Sequence, residues 1–391
     1  MTFDLERARN DTPGCRNVLH FNNAGASLMP ERVLDATIAH LELEAQIGGY
    51  EAAEYAQDAI EHTYDAVAAL FGCSRDEVAI IENATRAWDM AFYSIPFKPG
   101  DRILTAMAEY ASNYIAFLQI ARKTGAIVAA IPNDVHGQVS IDALRKALDK
   151  RVKLIAITHV PTNGGLVNPV AEIGKVARDN GILYLVDACQ SIGQMPINVD
   201  QIGCDMLSAT GRKYLRAPRG TGFLYVRQGV LEQLEPPLLD LHAATWVAPD
   251  RYEMRPDARR FENWEANYAG KIGLGVAIDY ALEWGMDTIW RRIQTLAYQL
   301  RTQLSPLPGV IVRDRGVTQC GIVTFTVENK EPEELRKTLA QQNINVSVTT
   351  RSSTLLDMDT RGLTNMVRAS VHYFNSEEEV ERFCALLASI I

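Results

Sequence analysis

Apolar and polar residues follow one another in regular blocks from about residue 55 to residue 227. Short, continuously apolar runs such as "EVAIIEN", "VKLIAITHV" and "ILYLVDAC" are typical of buried strands. Between them lie stretches with helical apolar spacing, for example "PVAEIGKVARDNG" and "AQDAIEHTYDAVAALFG", which ends at Gly72. This alternation predicts an α/β domain in which a mostly parallel sheet lies between layers of helices.

The pattern changes after residue 260. Two long helical stretches, "YAGKIGLGVAIDYALEWG" and "DTIWRRIQTLAYQLRTQL", are followed by the strand patterns "GIVTFTV", "INVSVTT" and "VRASVHYF". The helical patterns "EPEELRKTLAQQ" and "SEEEVERFCALLASII" accompany these strands. We therefore predict a large domain over residues 16–262 and a smaller α+β domain over residues 263–391, which the N-terminal arm of residues 1–15 joins.

Composition and charge exclude several classes of protein. The 391 residues are 47% hydrophobic and carry a net charge of −9, which argues against a nucleic-acid-binding protein. No apolar run is long enough to span a membrane, and the first residues lack the pattern of a signal peptide. The six cysteines are scattered without CxxC pairs, so we expect neither a metal site nor disulfides, and a cytoplasmic location.

Polar residues follow the predicted strands where the strands end. They are Asn83, Ala84 and Thr85 after one strand, Tyr110 after the next, Thr162 and Asn163 after a third, and Asp187 and Gln190 after a fourth. In an open parallel sheet, ligands bind beyond these carboxyl ends. The helix that begins after Asn83 offers free backbone N–H groups to a phosphate.

These residues, together with Lys213, match the needs of pyridoxal 5′-phosphate (PLP). This cofactor requires an amine that bonds to its aldehyde, an acid beside its pyridine nitrogen and an anchor for its phosphate. Lys213 and Asp187 supply the first two, and Gln190 is placed to bind the phenolic oxygen. Each residue alone has a simpler interpretation, as a surface lysine, a turn aspartate or, for Thr85, a helix cap. Their combination predicts a PLP site.

The segment "DACQSIGQMPINVDQIGCDMLSATGRKYLRAPRGTGFLYV" closely resembles the signature of the class V aminotransferases, the cysteine desulfurase-like group of fold type I PLP enzymes. The resemblance implies that Lys213 carries the cofactor and that Thr210 and Arg212 join Thr85 at its phosphate. It places Tyr110 against the cofactor ring, where desulfurases have histidine. On this basis Lys213, Asp187 and Tyr110 are predicted to be the catalytic residues.

The same resemblance implies where the substrate binds. Arg368 occupies the position at which the family binds the carboxylate of an amino-acid substrate, and a guanidinium suits that task. Arg351 and Gly25 are further expected substrate contacts. We expect the substrate to contain sulfur.

The resemblance also implies a homodimer with the active site near the subunit interface. Family members often complete the phosphate site with a Gly-Thr of the partner subunit, but "RFENWEANYAG" has Glu265 in place of that threonine. A carboxylate repels phosphate, so Tyr268 or Asn267 is expected to serve instead.

The reaction is predicted from a missing thiol. Desulfurases carry a loop cysteine that attacks the substrate sulfur, and the corresponding segment "VTTRSSTLLDMDTRGLTNMVRAS" has Ser352 and Ser353 but no cysteine. We therefore favour β-elimination from a cysteine S-conjugate or sulfoxide. The details "THVPTNGGLVNP" and "FENWEANYAG" resemble the carbon–sulfur lyase branch, which includes hercynylcysteine sulfoxide lyases, and also isopenicillin N epimerase-like proteins.

Other functions remain open at this stage. An epimerase, racemase or aminotransferase of the same family would use the same residues, and a cysteine desulfurase is less favoured. A PLP-binding regulatory protein would be expected to lose Lys213, Asp187 or Arg368, and this chain keeps all three. A nicotinamide-binding enzyme is disfavoured because no G-x-G-x-x-G motif follows the first strands.

Overall fold

The computed structural model describes residues 3–391. The helices are α1 (Leu5–Asn10), α2 (Glu31–Ile47), α3 (Gly49–Tyr55), α4 (Gln57–Phe71), α5 (Ala84–Tyr93), α6 (Ala111–Thr124), α7 (Ile141–Ala147), α8 (Val170–Asp179), α9 (Val199–Ile202), α10 (Tyr268–Trp284), α11 (Met286–Leu304), α12 (Pro332–Gln341), α13 (Leu355–Thr360) and α14 (Glu377–Ile390). The strands are β1 (Leu19–His20), β2 (Val78–Ile81), β3 (Arg102–Ala106), β4 (Ile127–Ile131), β5 (Val152–Thr158), β6 (Leu183–Asp187), β7 (Met206–Thr210), β8 (Gly222–Val226), β9 (Ala244–Ala248), β10 (Arg251–Met254), β11 (Val310–Val312), β12 (Ile322–Val327), β13 (Ile344–Asn345), β14 (Ser347–Thr350) and β15 (Asn365–Ser370).

A seven-stranded sheet forms the centre of the large domain, with the strand order β2-β8-β7-β6-β5-β3-β4. Strands β7, β6, β5, β3 and β4 are parallel to one another. Strand β8 runs antiparallel to both of its neighbours, β2 and β7. The predicted α/β fold with a mostly parallel sheet is confirmed. The carboxyl ends of β3, β5, β6 and β7 therefore meet at one edge of the sheet.

A four-stranded antiparallel sheet, β11-β12-β15-β14, forms the smaller unit. A separate pairing joins the two ends of the chain, because β1 pairs in parallel with β13. The expected strand "INVSVTT" is divided for this reason: β13 pairs with β1, whereas β14 pairs with β15. Within residues 3–391, no helix is long and apolar enough to cross a membrane. The domain boundaries at residues 16–262 and 263–391 stay a prediction.

Two glycines allow the strand ends to approach one another closely. Gly193 has a φ of 83°, and a Cβ built on it would lie 2.3 Å from the backbone carbon of Tyr214. The turn that follows β6 therefore packs directly against the segment that carries Lys213. A Cβ on Gly222 would lie 3.0 Å from the backbone nitrogen of Ala84, so the start of β8 adjoins the start of α5.

Candidate active site

Lys213 lies in the connection between β7 and β8 and is partly buried. Loss of hydration lowers the pKa of its ammonium group, and the ionisable groups that act on it are those of Cys189, Arg212, Asp187 and Arg368. Three of these four were predicted to belong to one site. The structure therefore brings Asp187, Arg212 and Arg368 together around Lys213.

Asp187 ends β6 and is only 5% exposed. Its Oδ2 accepts a hydrogen bond of 2.9 Å from Nδ2 of Asn113, and its Oδ1 accepts one of 2.8 Å from the backbone N–H of Cys189. These two N–H donors hold both carboxylate oxygens of Asp187 in place. Asp187 is thus suited to pair with a cationic ring nitrogen.

Two buried side chains beside Lys213 keep polar atoms without a partner. Nε2 of Gln190 donates to the carbonyl oxygen of Ala24 at 3.1 Å, but its Oε1 has no partner among residues 3–391. Nη1 of Arg368 donates to Oγ1 of Thr162 at 2.5 Å, while its Nε has none in the same part of the chain. Buried polar atoms are normally hydrogen-bonded, so this pair indicates a site for a polar ligand.

Strands β7 and β8 meet helix α5 at the end of the site where the cofactor's phosphate is predicted to bind. Asn83 caps α5, with its Oδ1 accepting from the backbone N–H of Arg86, and Ala84 and Thr85 begin the first turn. Thr210 lies opposite Gly222 in the β7–β8 pairing, and Gly222 in turn contacts Ala84. The free N–H groups of α5 and the Thr210 hydroxyl therefore lie at one end of the site, which suits a phosphate.

Arg212 and Tyr110 border this site. Nη1 of Arg212 donates to the carbonyl oxygen of Gly25, and burial lowers the pKa of the Arg212 guanidinium. Tyr110 precedes α6 and is 38% exposed, and its hydroxyl lies near enough to Arg212 and Arg368 to act on both. A partly exposed aromatic side chain in this place can cover one face of a flat cofactor.

Other predicted residues have their polar groups engaged elsewhere. Asn163 binds the hydroxyls of Thr349 and Thr354 and so joins the loop after β5 to the smaller unit. Arg351 pairs with Asp359 through two hydrogen bonds. The roles of Asn163 and Arg351 in cofactor and substrate binding stay predictions.

The segment around Glu265, which is expected to reach the partner subunit, lies at the surface. Asn267 caps α10, with its Oδ1 accepting from the backbone N–H of Gly270 at 2.8 Å. Glu265 and Tyr268 line a cavity of about 440 Å³ together with Tyr50 of α3.

Asn113 and Glu109 were not predicted from the sequence, whereas His159 and Cys189 stand at the predicted strand ends "ITHV" and "LVDACQ". Asn113 binds Asp187, Glu109 binds Asn113, and the backbone N–H of His159 donates to the carbonyl oxygen of Asp187. Burial lowers the pKa of His159 to about 4 and raises the pKa of Cys189 well above its usual value. The spacing of Glu109 and Asn113, four residues apart, is compatible with a contact between them but does not indicate the contact with Asp187.

Arg216 holds the Lys213 segment in place through backbone and side-chain hydrogen bonds. It is 1% exposed and has a φ of 64°, a left-handed conformation that is uncommon for a residue other than glycine. Its backbone N–H donates to the carbonyl oxygen of Lys213, and its guanidinium donates to the oxygen atoms of Thr12, Leu28 and Tyr373. One arginine thus joins the Lys213 segment to the N-terminal arm and to the segment that follows β15.

Known proteins resemble this chain over nearly its whole length. A probable cysteine desulfurase of Methanothermobacter thermautotrophicus is 30% identical over 385 residues, which cover 96% of this chain and 95% of that protein. The apo structure of a cysteine desulfurase from Thermococcus onnurineus NA1 has a TM-score of 0.91 and 30% identity, covering 100% of this chain and 98% of the other.

A second kind of enzyme is also similar. The cystine C–S lyase C-DES, solved with its product cysteine persulfide, has a TM-score of 0.87 and 25% identity, covering 96% of this chain and 99% of the other. A further C-DES structure contains glycine covalently linked to its PLP cofactor. The residues around Lys213 fit PLP, because an amine, a buried carboxylate, an anion site and unpaired polar atoms converge there. The predictions of fold type I and of PLP as the cofactor are confirmed by these comparisons.

The family is identified by a match along the sequence. The family model described as "Aminotransferase class-V" matches residues 19–383. That range includes every predicted site residue, from Gly25 to Arg368. The chain therefore belongs to the class V aminotransferase family.

Proposed function

We propose that this enzyme cleaves the carbon–sulfur bond of a cysteine S-conjugate or sulfoxide by β-elimination. The products are pyruvate, ammonia and a thiol or, from the sulfoxide, a sulfenate. The observation that carries this proposal is the absence of a cysteine from residues 347–370, where β14, α13 and β15 border the site. Hydrogen bonds of Asn163 to Thr349 and Thr354 hold this segment against the loop that also binds Arg368.

Each residue around Lys213 has a role in this proposal. When bound, PLP supplies an electron sink for the bonds at the substrate's Cα. Lys213 takes the Cα proton, and its lowered pKa keeps the free amine available as a base at a lower pH than an ordinary lysine would allow. Arg368 binds the α-carboxylate of the substrate, and Asp187 pairs with the ring nitrogen.

The thiols of this chain support elimination over desulfuration. Cys204, Cys320 and Cys384 are buried, and burial raises the pKa of all three. Ser352 and Ser353, beside the site, offer hydroxyl groups, which are poor nucleophiles toward sulfur at neutral pH. Elimination needs only a base and a leaving group.

Cysteine desulfuration is the second candidate, and two observations favour it. Several relatives carry that name, including the proteins of Methanothermobacter and Thermococcus. In addition, Cys189 lies beside Lys213. Its pKa, raised well above the usual value by burial and by Asp187, keeps the thiol protonated, which weakens it as a nucleophile.

Product analysis separates the candidates. The enzyme is supplied with cysteine, a cysteine S-conjugate and its sulfoxide, and pyruvate, alanine and D-amino acid are measured in the parent and in Cys189→Ala. Elimination predicts pyruvate from the S-conjugate or its sulfoxide at a similar rate in both, with Cys73→Ala, a change away from the site, as the control. Alanine from cysteine, lost in Cys189→Ala but kept in Cys73→Ala, would establish a desulfurase. Inverted amino acid would instead indicate an epimerase.

We also propose that the enzyme is a homodimer. Large apolar side chains are exposed on α2 and α3, on β9 and β10, and at one residue after them: Leu34, Ile38, Leu41, Ile47, Tyr50 and Tyr55, then Trp246, Val247 and Tyr252, and Trp264. Leu34, Ile38 and Leu41 recur at helical spacing, as residues do on a helix face that packs against another surface. Exposed apolar surface of this extent marks an interaction site. Trp264 immediately precedes Glu265, so a second copy on this face would lie against the segment predicted to reach the partner's phosphate site.

A further inference from the structure

The side-chain amide of Asn113 lies between two buried carboxyl groups. Its Nδ2 is 2.9 Å from Oε1 of Glu109 and 2.9 Å from Oδ2 of Asp187. The three residues are each 5% exposed or less. An amide nitrogen has two hydrogens, and here both are directed at carboxylate oxygens.

This arrangement permits only one orientation of the amide. If the amide were flipped, its carbonyl oxygen would face Oε1 of Glu109 and Oδ2 of Asp187, two oxygen atoms that accept hydrogen bonds here. Burial raises the pKa of Glu109, but both of its oxygens already accept from other donors, so a flipped amide would have to displace them. Charge-assisted hydrogen bonds are the stronger kind, so the observed orientation is held from both sides. Asn113 therefore always presents an N–H group to Asp187.

Glu109 is itself fixed by several donors. Its Oε1 accepts from the backbone N–H of Tyr110 at 2.9 Å and from the hydroxyl of Thr158. Its Oε2 accepts from the hydroxyl of Thr105 at 3.0 Å and from the backbone N–H of Thr158 at 3.1 Å. With the Asn113 amide this makes five donors on the carboxyl group of Glu109, which is 3% exposed.

We infer that Asn113, held by Glu109, is a positioning residue that keeps the carboxylate of Asp187 directed at the cofactor's ring nitrogen. The inference rests on the proposed use of PLP at this site. Removing the Asn113 donor leaves Oδ2 of Asp187 without its N–H partner, so this oxygen competes more strongly for the proton on the ring nitrogen. The proton shared between Asp187 and the ring nitrogen would then move toward Asp187, and the ring would become a weaker electron sink.

The test uses the full-length enzyme loaded with PLP that carries ¹⁵N at its ring nitrogen. In Asn113→Leu we expect the ¹⁵N resonance to move from the position of a protonated ring toward that of a neutral one, and PLP to bind about tenfold more weakly. Asp187→Ala sets the limit of the change. Should Asn113→Leu fail to fold, as judged by thermal melting, Asn113→Ala removes the same donor without added bulk.

Asn168 provides a matched control. It is also buried, and its amide donates to the carbonyl oxygen of Thr158 while its Oδ1 accepts from the backbone N–H of Val139. It makes no hydrogen bond to Asp187. Asn168→Leu should leave the ¹⁵N resonance unchanged even if it lowers the melting temperature. An equal shift in both variants, or none in Asn113→Leu, would overturn the inference.

The part played by Glu109 is tested by a double-mutant cycle. If Glu109 acts through Asn113, then Glu109→Gln changes the ¹⁵N resonance in the parent and loses that effect once Asn113 is leucine. If it acts only through its own charge, the effect is equal in both backgrounds, and the proposed role of Glu109 is wrong. If the parent enzyme does not bind PLP at Lys213, the proposed function fails together with the inference. If the parent binds PLP there and Asn113→Leu leaves the ¹⁵N resonance unchanged, only the inference fails.

Discussion

The hydroxyl oxygen of Thr162 lies 2.5 Å from Nη1 of Arg368, a buried arginine whose side chain bonds to no carboxylate among residues 3–391. A buried cation normally finds an anionic partner. Thr162 fixes one end of the guanidinium and leaves Nε without a partner. This geometry supports the proposed binding of a substrate carboxylate by Arg368.

The first prediction follows from that geometry. Arg368→Lys replaces a two-pronged donor with a single ammonium group, so we expect KM for the amino-acid substrate to rise about ten- to a hundredfold. Steady-state kinetics measure the change. Arg301 is paired with Asp314 at 2.7 Å, and Arg301→Lys serves as a control that should leave KM unchanged. An unaltered KM in Arg368→Lys would refute the assignment of Arg368 to the substrate carboxylate.

The second prediction concerns which lysine bonds to PLP. Burial lowers the pKa of Lys271 as well as that of Lys213, but Nζ of Lys271 donates to the hydroxyl of Tyr64. Borohydride reduction followed by peptide mass spectrometry should find the cofactor on Lys213 alone. Lys213→Ala should abolish turnover and allow PLP to be dialysed away. Lys271→Ala should keep bound PLP and its absorbance in the visible range. Cofactor attached to Lys271 would contradict the proposed mechanism.

The apolar pattern predicted most of the central sheet but not its antiparallel pairing. Runs such as "VKLIAITHV" became β5 because both faces of these strands are covered by helices. Nothing in a strand's own residues records its direction, so the antiparallel course of β8 between β2 and β7 was not predictable from them. The last residues of "VRASVHYF" lie outside the sheet, because β15 ends at Ser370. The backbone N–H of His372 donates to the side chain of Asn375 instead of to a neighbouring strand.

Site residues could be predicted from the sequence where a strand end carries a residue type that PLP chemistry specifically requires. Asp187 and Lys213 could be chosen in this way, because few other residues supply their chemistry. Asn113 and Glu109 could not, since their importance depends on a contact between α6 and β6 that only the folded chain creates. Cys189 was visible beside Asp187, but its closeness to Lys213 depends on the turn at Gly193.

The third prediction is a loss of stability in acid. Burial lowers the pKa of His159 from 6.5 to about 4. Between these two pH values, His159 binds a proton in the unfolded chain but not in the folded protein. Stability is therefore retained above pH 6.5 and lost as the pH falls from 6.5 toward 4. Between pH 7 and pH 4.5, the free energy of unfolding of His159→Gln should fall about 2 kcal/mol less than that of the parent. Urea unfolding measures it, with the exposed His62→Gln as the control; equal losses in all three proteins would show that His159 titrates normally.

The fourth prediction concerns the proposed dimer. Trp246→Glu places a charge on an apolar side chain that is 79% exposed, and Tyr55→Glu does the same at one that is 80% exposed. Sedimentation at micromolar concentration should give a dimer for the parent and a larger monomer fraction for each variant. Tyr298, which is 72% exposed on α11, gives the matched control Tyr298→Glu, which should remain dimeric. A parent that sediments as a monomer would rule out the homodimer.

The contacts of Arg216 have a consequence for how the chain can be divided. A protein made of two modules can often be cut between them, and each piece then keeps its own activity. Here the segment that bears the reactive amine is held by the hydroxyl of Thr12 and by that of Tyr373, which come from opposite ends of the chain. A fragment comprising residues 16–262 would keep Thr85, Thr210 and Arg212, which are expected at the phosphate, yet lack both anchors. Truncations that remove Thr12 or Tyr373 are therefore expected to loosen the segment that carries Lys213, however far from it they are made along the chain.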